Sequence, residues 1–185
     1  MSVWGELILS EKKILGEERR SLLLKLLQSG GQPITGGELA TKTNVSRQVI
    51  VGDITLLKAR GEPIIATSQG YMYLANNAPS PVAERTIACC HTPERAEEEL
   101  HLFVDYGVTV KDVKIEHPVY GDLTASIMVS SRKEVNQFIK KIKTTQASFL
   151  SELTDGYHIH TISAPSEKNL DEAVDALREA GFLVE

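Results

Sequence analysis

Residues 37–57 read GELATKTNVSRQVIVGDITLL, and this stretch decides the first half of the fold. Gly37 to Thr43 predicts a short helix with Leu39 and Ala40 inward, and Asn44-Val45 predicts a tight turn. Ser46 is then a good N-cap for a helix running to about Arg60, because its hydroxyl satisfies an otherwise orphaned first-turn amide. Ile50, Ile54 and Leu57 fall at i, i+4 and i+7 on that helix, a single apolar stripe, and Gly61 ends it. Upstream, Glu17 to Gln28 carries Leu22, Leu23, Leu26 and Leu27 at helical spacing, and Ser29-Gly30-Gly31 stops it. Pro33-Ile34-Thr35 reads as extended. Downstream, strands are expected around Pro63–Thr67 and Tyr71–Leu74, joined by the turn formers Ser68-Gln69-Gly70.

Helix, short strand, helix, turn, helix and hairpin is the element order of a winged helix-turn-helix. Such a module sets the start of its third helix against base edges while phosphate contacts hold the register. That start is Ser46-Arg47-Gln48 here. Arg47 has the donors for guanine O6/N7 and Gln48 the donor and acceptor for adenine, so these three residues are the candidate DNA contacts. Asp53 is expected to bond within the fold. Asn76-Asn77-Ala78-Pro79-Ser80-Pro81 interrupts the apolar pattern and predicts a boundary, giving domains of residues 1–78 and 79–185. Net charge is −5, yet the first 78 residues carry nine Lys+Arg against seven Asp+Glu and the remainder eleven against eighteen. A mildly basic part joined to an acidic part suits a DNA-contacting module on a sensing module.

Beyond Ala83 strands and helices alternate. Strands are expected at Arg85–Cys90, Val108–Glu116, Leu123–Val129, Tyr157–Ser163 and Phe182–Val184. Helices are expected from Pro93 to about Tyr106 with Thr92 as N-cap, from Ser130/Ser131 onward through Val135, Phe138, Ile139 and Ile142, and over Asn169–Ala180. The pattern predicts an α/β sandwich with helices packed on a mixed sheet, and for the whole chain an α+β two-domain fold.

All five histidines lie in this second part. His158 and His160 are two apart on a strand, so both side chains leave one face, and paired neutral imidazoles suit a borderline-soft divalent metal. On spacing alone the pair equally suits a polar surface or a hydrogen-bonded pair. His91 sits where a strand hands over to a helix, and on that helix Glu97 and Glu99 flank the stripe of Ala96, Leu100, Phe103 and Val104. Cys89 shares the side of its strand with His91, as either a neighbour of the site or plain core. His101 points further outward and is read as a surface residue.

The first part, with Gly37-Glu38-Leu39-Ala40, Ser46-Arg47-Gln48-Val49, Asp53-Ile54-x-x-Leu57 and Gly70-Tyr71-x-Tyr73-Leu74, resembles the biotin-repressor-type winged helix. In the second part His91-Thr92, Glu116-His117-Pro118-Val119-Tyr120-Gly121 and Tyr157-His158-Ile159-His160-Thr161 resemble the signature blocks of the three-histidine domain. The two in this order resemble the niacin-responsive transcription repressors. That resemblance implies a repressor of NAD synthesis and niacin uptake genes, with nicotinic acid as corepressor near a divalent metal at His91, Glu99, His158 and His160. Glu97 competes with Glu99 by spacing. The role of His117 stays open between structure and ligand, and no nicotinic acid ligands are assigned. Imidazole and carboxylate donors suit zinc, nickel or iron. A homodimer on operator DNA is expected, since one winged helix reads a short site.

Other classes are disfavoured. No apolar run approaches the roughly 20 residues of a membrane span. Adjacent Cys89 and Cys90 suit a reducing compartment, and no secretory signal pattern opens the sequence, so a cytoplasmic protein is expected. An enzyme is not expected, because the chain has no Gly-rich phosphate loop, nucleophile elbow or H-E-x-x-H pattern. The alternatives are a metal-responsive repressor that binds no niacin and, behind it, a metal-dependent enzyme fused to a winged helix.

Overall fold

A computed structural model describes residues 15–74 and 83–184. They fall into two compact units, residues 15–65 with 70–74, and residues 66–69 with 83–184. The expected boundary at residues 76–81 lies outside the described residues.

Along the chain, α1 (Gly16–Gly30), α2 (Gly36–Thr43) and α3 (Arg47–Ala59) precede a hairpin of β1 (Ile64–Thr67) and β2 (Gly70–Tyr73). α2 begins with a capping box, in which the Thr35 hydroxyl accepts the Glu38 amide while the Glu38 carboxylate accepts the Thr35 amide. Asn44 turns the chain in the left-handed region at φ 51°, and Ser46 caps α3 by accepting the Val49 amide. Leu23, Leu27, Leu39, Ile50, Ile54, Leu57 and Ile64 form the core. The extended piece at Ile34 bridges Tyr71 and ties the wing to the helices. Gly70 makes that possible: a Cβ there would lie 2.5 Å from the Ile34 carbonyl oxygen.

The second unit is a four-stranded sheet of β3 (Ala83–Cys90), β4 (Thr109–His117), β5 (Gly121–Val129) and β6 (Tyr157–Ala164), in the order β3-β6-β4-β5. Three helices, α4 (Ala96–Asp105), α5 (Arg132–Thr145) and α6 (Glu167–Glu179), complete it. Every pairing is antiparallel, which corrects the mixed sheet expected above: β6 enters between β3 and β4 and runs against both. Side chains of one sheet face, including Ile87, Val110, Ile127 and Ile162, meet Leu100, Phe103, Val135, Ile139, Leu170 and Leu177 of the helices in one core. Ser131 and Ser166 cap α5 and α6.

Local details differ from the sequence reading. Thr92 supplies no side-chain cap; Pro93–Arg95 forms a 3-10 turn and α4 starts at Ala96. Phe182–Val184 forms a single bridge, Cys89 to Leu183, because only the Phe182 carbonyl and the Val184 amide reach β3. A second 3-10 turn, Leu150–Thr154, lies where no element was expected.

Candidate functional site

Ser46, Arg47 and Gln48 are exposed at the start of α3. The first turn of α3 carries no acidic residue, so the partial positive charge of its amides is left uncompensated for an anion. Asp53 is turned inward: it is buried, receives Arg19 Nε at 2.5 Å and Arg20 Nη1 at 3.1 Å, and pins α3 to α1.

The second unit gathers three histidines. Cys89 of β3 stands opposite His158 of β6, and Ile87 opposite His160. His91 follows the end of β3, and one alternation brings its side chain, with those of His158 and His160, onto the helix-covered face. α4 supplies Glu99, whose side chain is 2% exposed. His91 Nε2 lies 2.9 Å from Glu99 Oε2, His160 Nε2 3.3 Å from Oε2, and His158 Nε2 3.3 Å from Oε1. Glu97 lies outside the cluster, paired with Lys143 at 3.2 Å. So the chain holds two flanking glutamates and the fold selects one.

Each imidazole is oriented by a main-chain carbonyl. His91 Nδ1 is 2.8 Å from Thr92 O, His158 Nδ1 2.8 Å from Gly156 O, and His160 Nδ1 2.6 Å from Asp112 O. A carbonyl only accepts, so all three Nδ1 atoms carry protons and all three Nε2 atoms face Glu99. A carbonyl held on Nδ1 in this way presents Nε2 as a metal ligand. The Asp112 carbonyl follows a register shift between Val110 and Asp112 in β4. Gly156 approaches the site at φ 93°, where a Cβ would sit 2.4 Å from the His91 carbonyl oxygen. Behind His91, Phe182 stacks edge-on at 5.1 Å, with the Arg95 guanidinium 4.0 Å above its ring.

Electrostatically the cluster is tightly coupled. Burial opposes the ionised form of Glu99, but the His160 charge and the hydrogen bonds from His158 and His160 together hold its carboxyl well below the usual range. Burial likewise disfavours protonated His91 and His160, and the Glu99 carboxylate outweighs it and raises both. Burial, followed by the Glu99 charge, pushes the Cys89 thiol up.

The donor set fits a divalent cation. His91 Nε2 is a buried ring nitrogen whose near neighbour is the Glu99 carboxylate, 2.9 Å away. A cation between imidazole and carboxylate satisfies both atoms. Beside the cluster opens a cavity of about 220 Å³, walled by Val113, Ala125, Ile127, Phe138, Ile142 and Phe149, with Ser148 and Ser151 also lining it.

Two histidines take no part. His117 Nδ1 accepts the amides of Val119 at 3.1 Å and Tyr120 at 3.3 Å, closing the β4–β5 hairpin. His101, half-buried rather than fully exposed, pairs with Asn136 Oδ1 at 2.9 Å. Sequence reasoning missed Gly156, the Asp112 carbonyl and the cavity. Asp155-Gly156 is a legible turn signal, but nothing in a sequence says which carbonyl faces which ring.

Fold and site define a DNA-binding helix-turn-helix domain followed by a three-histidine domain. Residues 84–185 match the 3H domain model and residues 19–72 the HTH domain model. The chain belongs to the 3H-domain family of transcription repressors. It is 63% identical over 175 residues to the "Transcription repressor NadR" of Bacillus subtilis (strain 168), covering 94% of this chain and 97% of that protein. It is 37% identical over 173 residues to the "Probable transcription repressor NiaR" of Thermotoga maritima, again covering 94% and 97%. These relatives are repressors, not enzymes. Among the described residues no helix is long and apolar enough to cross a membrane.

Proposed function

We propose that this chain is a cytoplasmic homodimeric repressor of genes for NAD synthesis and niacin uptake, with nicotinic acid as corepressor. Ser46, Arg47 and Gln48 read operator DNA. A divalent transition metal (zinc, nickel or iron) is held by His91, Glu99, His158 and His160. The observation that carries the metal reading is the convergence of three carbonyl-anchored imidazoles on one buried carboxylate, every Nε2 within 3.3 Å of it. The cavity at its side supports the corepressor reading. Its apolar wall suits a flat pyridine ring, and a bound metal would attract the carboxylate of the acid and leave the neutral amide behind.

When bound, the metal would supply positive charge beside the one buried carboxylate of the site. Around it, the carbonyls of Thr92, Gly156 and Asp112 hold the imidazoles in place, and Phe138 and Ile127 exclude water from the ring. Nicotinic acid strengthens repression by as much as it favours the DNA-competent dimer, since equal affinity for every state shifts nothing.

Calorimetry with nicotinic acid, nicotinamide and NAD, on metal-free and metal-loaded protein, tests the reading. Heat of binding for the acid alone, and for loaded protein alone, is expected. Metal-dependent operator binding that ignores all three would replace it with a metal-responsive repressor. A monomer in sedimentation, both free and on the operator, would remove the dimer.

A further inference from the structure

We propose that the Cys89 sulfur is itself a ligand of the metal held by the three-histidine cluster, so that the site offers a thiolate beside its imidazoles and carboxylate. This rests on the reading that the cluster holds a divalent metal. Cys89 is fully buried, faces His158 across the β3–β6 ladder and precedes His91 by two residues on the same strand face. Its Sγ, a Glu99 carboxylate oxygen and a ring nitrogen of His158 all lie within 4.8 Å of one another, close enough for one cation to touch all three. His91 Nε2 lies 2.9 Å from the same Glu99 carboxylate, so a cation held there would have a second buried imidazole at hand. Sheet register turns the next residue away: Cys90 pairs with Tyr157, whose side chain is exposed.

The Cys89 thiol lies within 4.8 Å of a Glu99 carboxylate oxygen. As the metal enters, the S–H bond breaks, the sulfur keeps the electron pair and donates it to the metal, and the proton leaves to solvent. A coordinated thiol gives up its proton even where burial alone would retain it. The soft donor biases the site toward zinc, cobalt and nickel over magnesium and manganese.

The test loads the full chain with one equivalent of Co2+ and reads its absorption spectrum. Ligand-field bands in the visible report bound cobalt, and a charge-transfer band in the near ultraviolet reports a thiolate on it. Wild type and Cys90→Ser are expected to show both. Cys89→Ser is expected to keep the visible bands, lose the ultraviolet one, and yield cobalt to a chelator roughly ten-fold more readily. Cobalt bound by wild type without the ultraviolet band, or a band that survives Cys89→Ser, overturns the assignment and leaves the metal reading standing. A wild type that binds no cobalt overturns both. Since the chain has two cysteines, wild type and Cys90→Ser decide the matter even if Cys89→Ser does not fold.

Discussion

Gly156 passes so close to His91 that a Cβ on it would lie 2.4 Å from the His91 carbonyl oxygen, with Gly156 itself at φ 93°. The same glycine offers its carbonyl to His158 Nδ1, so one backbone position packs on the His91 main chain and orients the His158 imidazole. Gly156→Ala is expected to cost about 2 kcal/mol or more, from the left-handed backbone and the contact together. It should also weaken metal retention without altering a ligand. Thermal unfolding and metal analysis on the purified variant check both, and unchanged metal retention would remove Gly156 from the positioning role.

Asp53 is expected to behave as a structural residue despite its place on α3. Asp53→Ala leaves the buried Arg19 without its carboxylate, a change of about 3–5 kcal/mol for a buried pair. Denaturant unfolding should register this loss. Operator affinity should fall only to the extent that the HTH domain unfolds.

Arg47→Ala is the complementary case. Its side chain is exposed, so unfolding should not change, while a bidentate base contact is worth about 1–3 kcal/mol at a specific operator. Binding to operator and to scrambled duplex at fixed salt separates base reading from phosphate contact. Equal loss on both sequences would make Arg47 a phosphate contact.

Protons and metal compete for the imidazole Nε2 atoms, which sets opposite pH trends. In metal-free protein the pKa values of His91 and His160 are raised by Glu99, once burial is overcome. Their contribution is fully present below about 6.5, the unfolded value, and is lost as pH rises through the raised folded values. Glu99 is depressed, so its contribution is present above the ordinary carboxylate range and lost as pH falls through its low folded value. The metal-free second domain should therefore be most stable in weakly acidic solution and weaken as pH climbs. Metal affinity should rise over the same interval, since loading displaces protons. Melting curves with and without chelator across this range would show the two trends diverging; parallel trends would sink the competition.

Phe138 lines the cavity and packs edge-on against Phe149, their ring centres 6.3 Å apart. Phe138→Ala should lower nicotinic acid affinity roughly ten-fold through lost apolar and ring contact. Bound metal should be unchanged, because a phenyl ring offers no donor atom to a metal. Unaltered affinity in calorimetry would locate the ring elsewhere.

Much of this was legible from residue order because it depends on short-range periodicity. Leu39, Ser46, Ile50, Ile54 and Leu57 specify the helix pair by spacing and capping alone. His158 and His160 share a face because strands alternate, whatever they pair with. Long-range relations decided the rest. Which of Glu97 and Glu99 enters the cluster depends on how α4 rolls over the sheet, and a helix rotation is set by packing partners such as Phe103 and Leu100. That the sheet is antiparallel throughout depends on β6 inserting between β3 and β4, a pairing between segments about seventy and fifty residues apart. The proton positions on His91, His158 and His160 follow from three carbonyls, on Thr92, Gly156 and Asp112, that no side-chain pattern encodes. Sequence by itself determined the two modules and the residue types able to hold DNA and metal. Only the tertiary structure decided which atoms converge, because convergence depends on register and packing between distant segments, and neither is a property of any one stretch of chain.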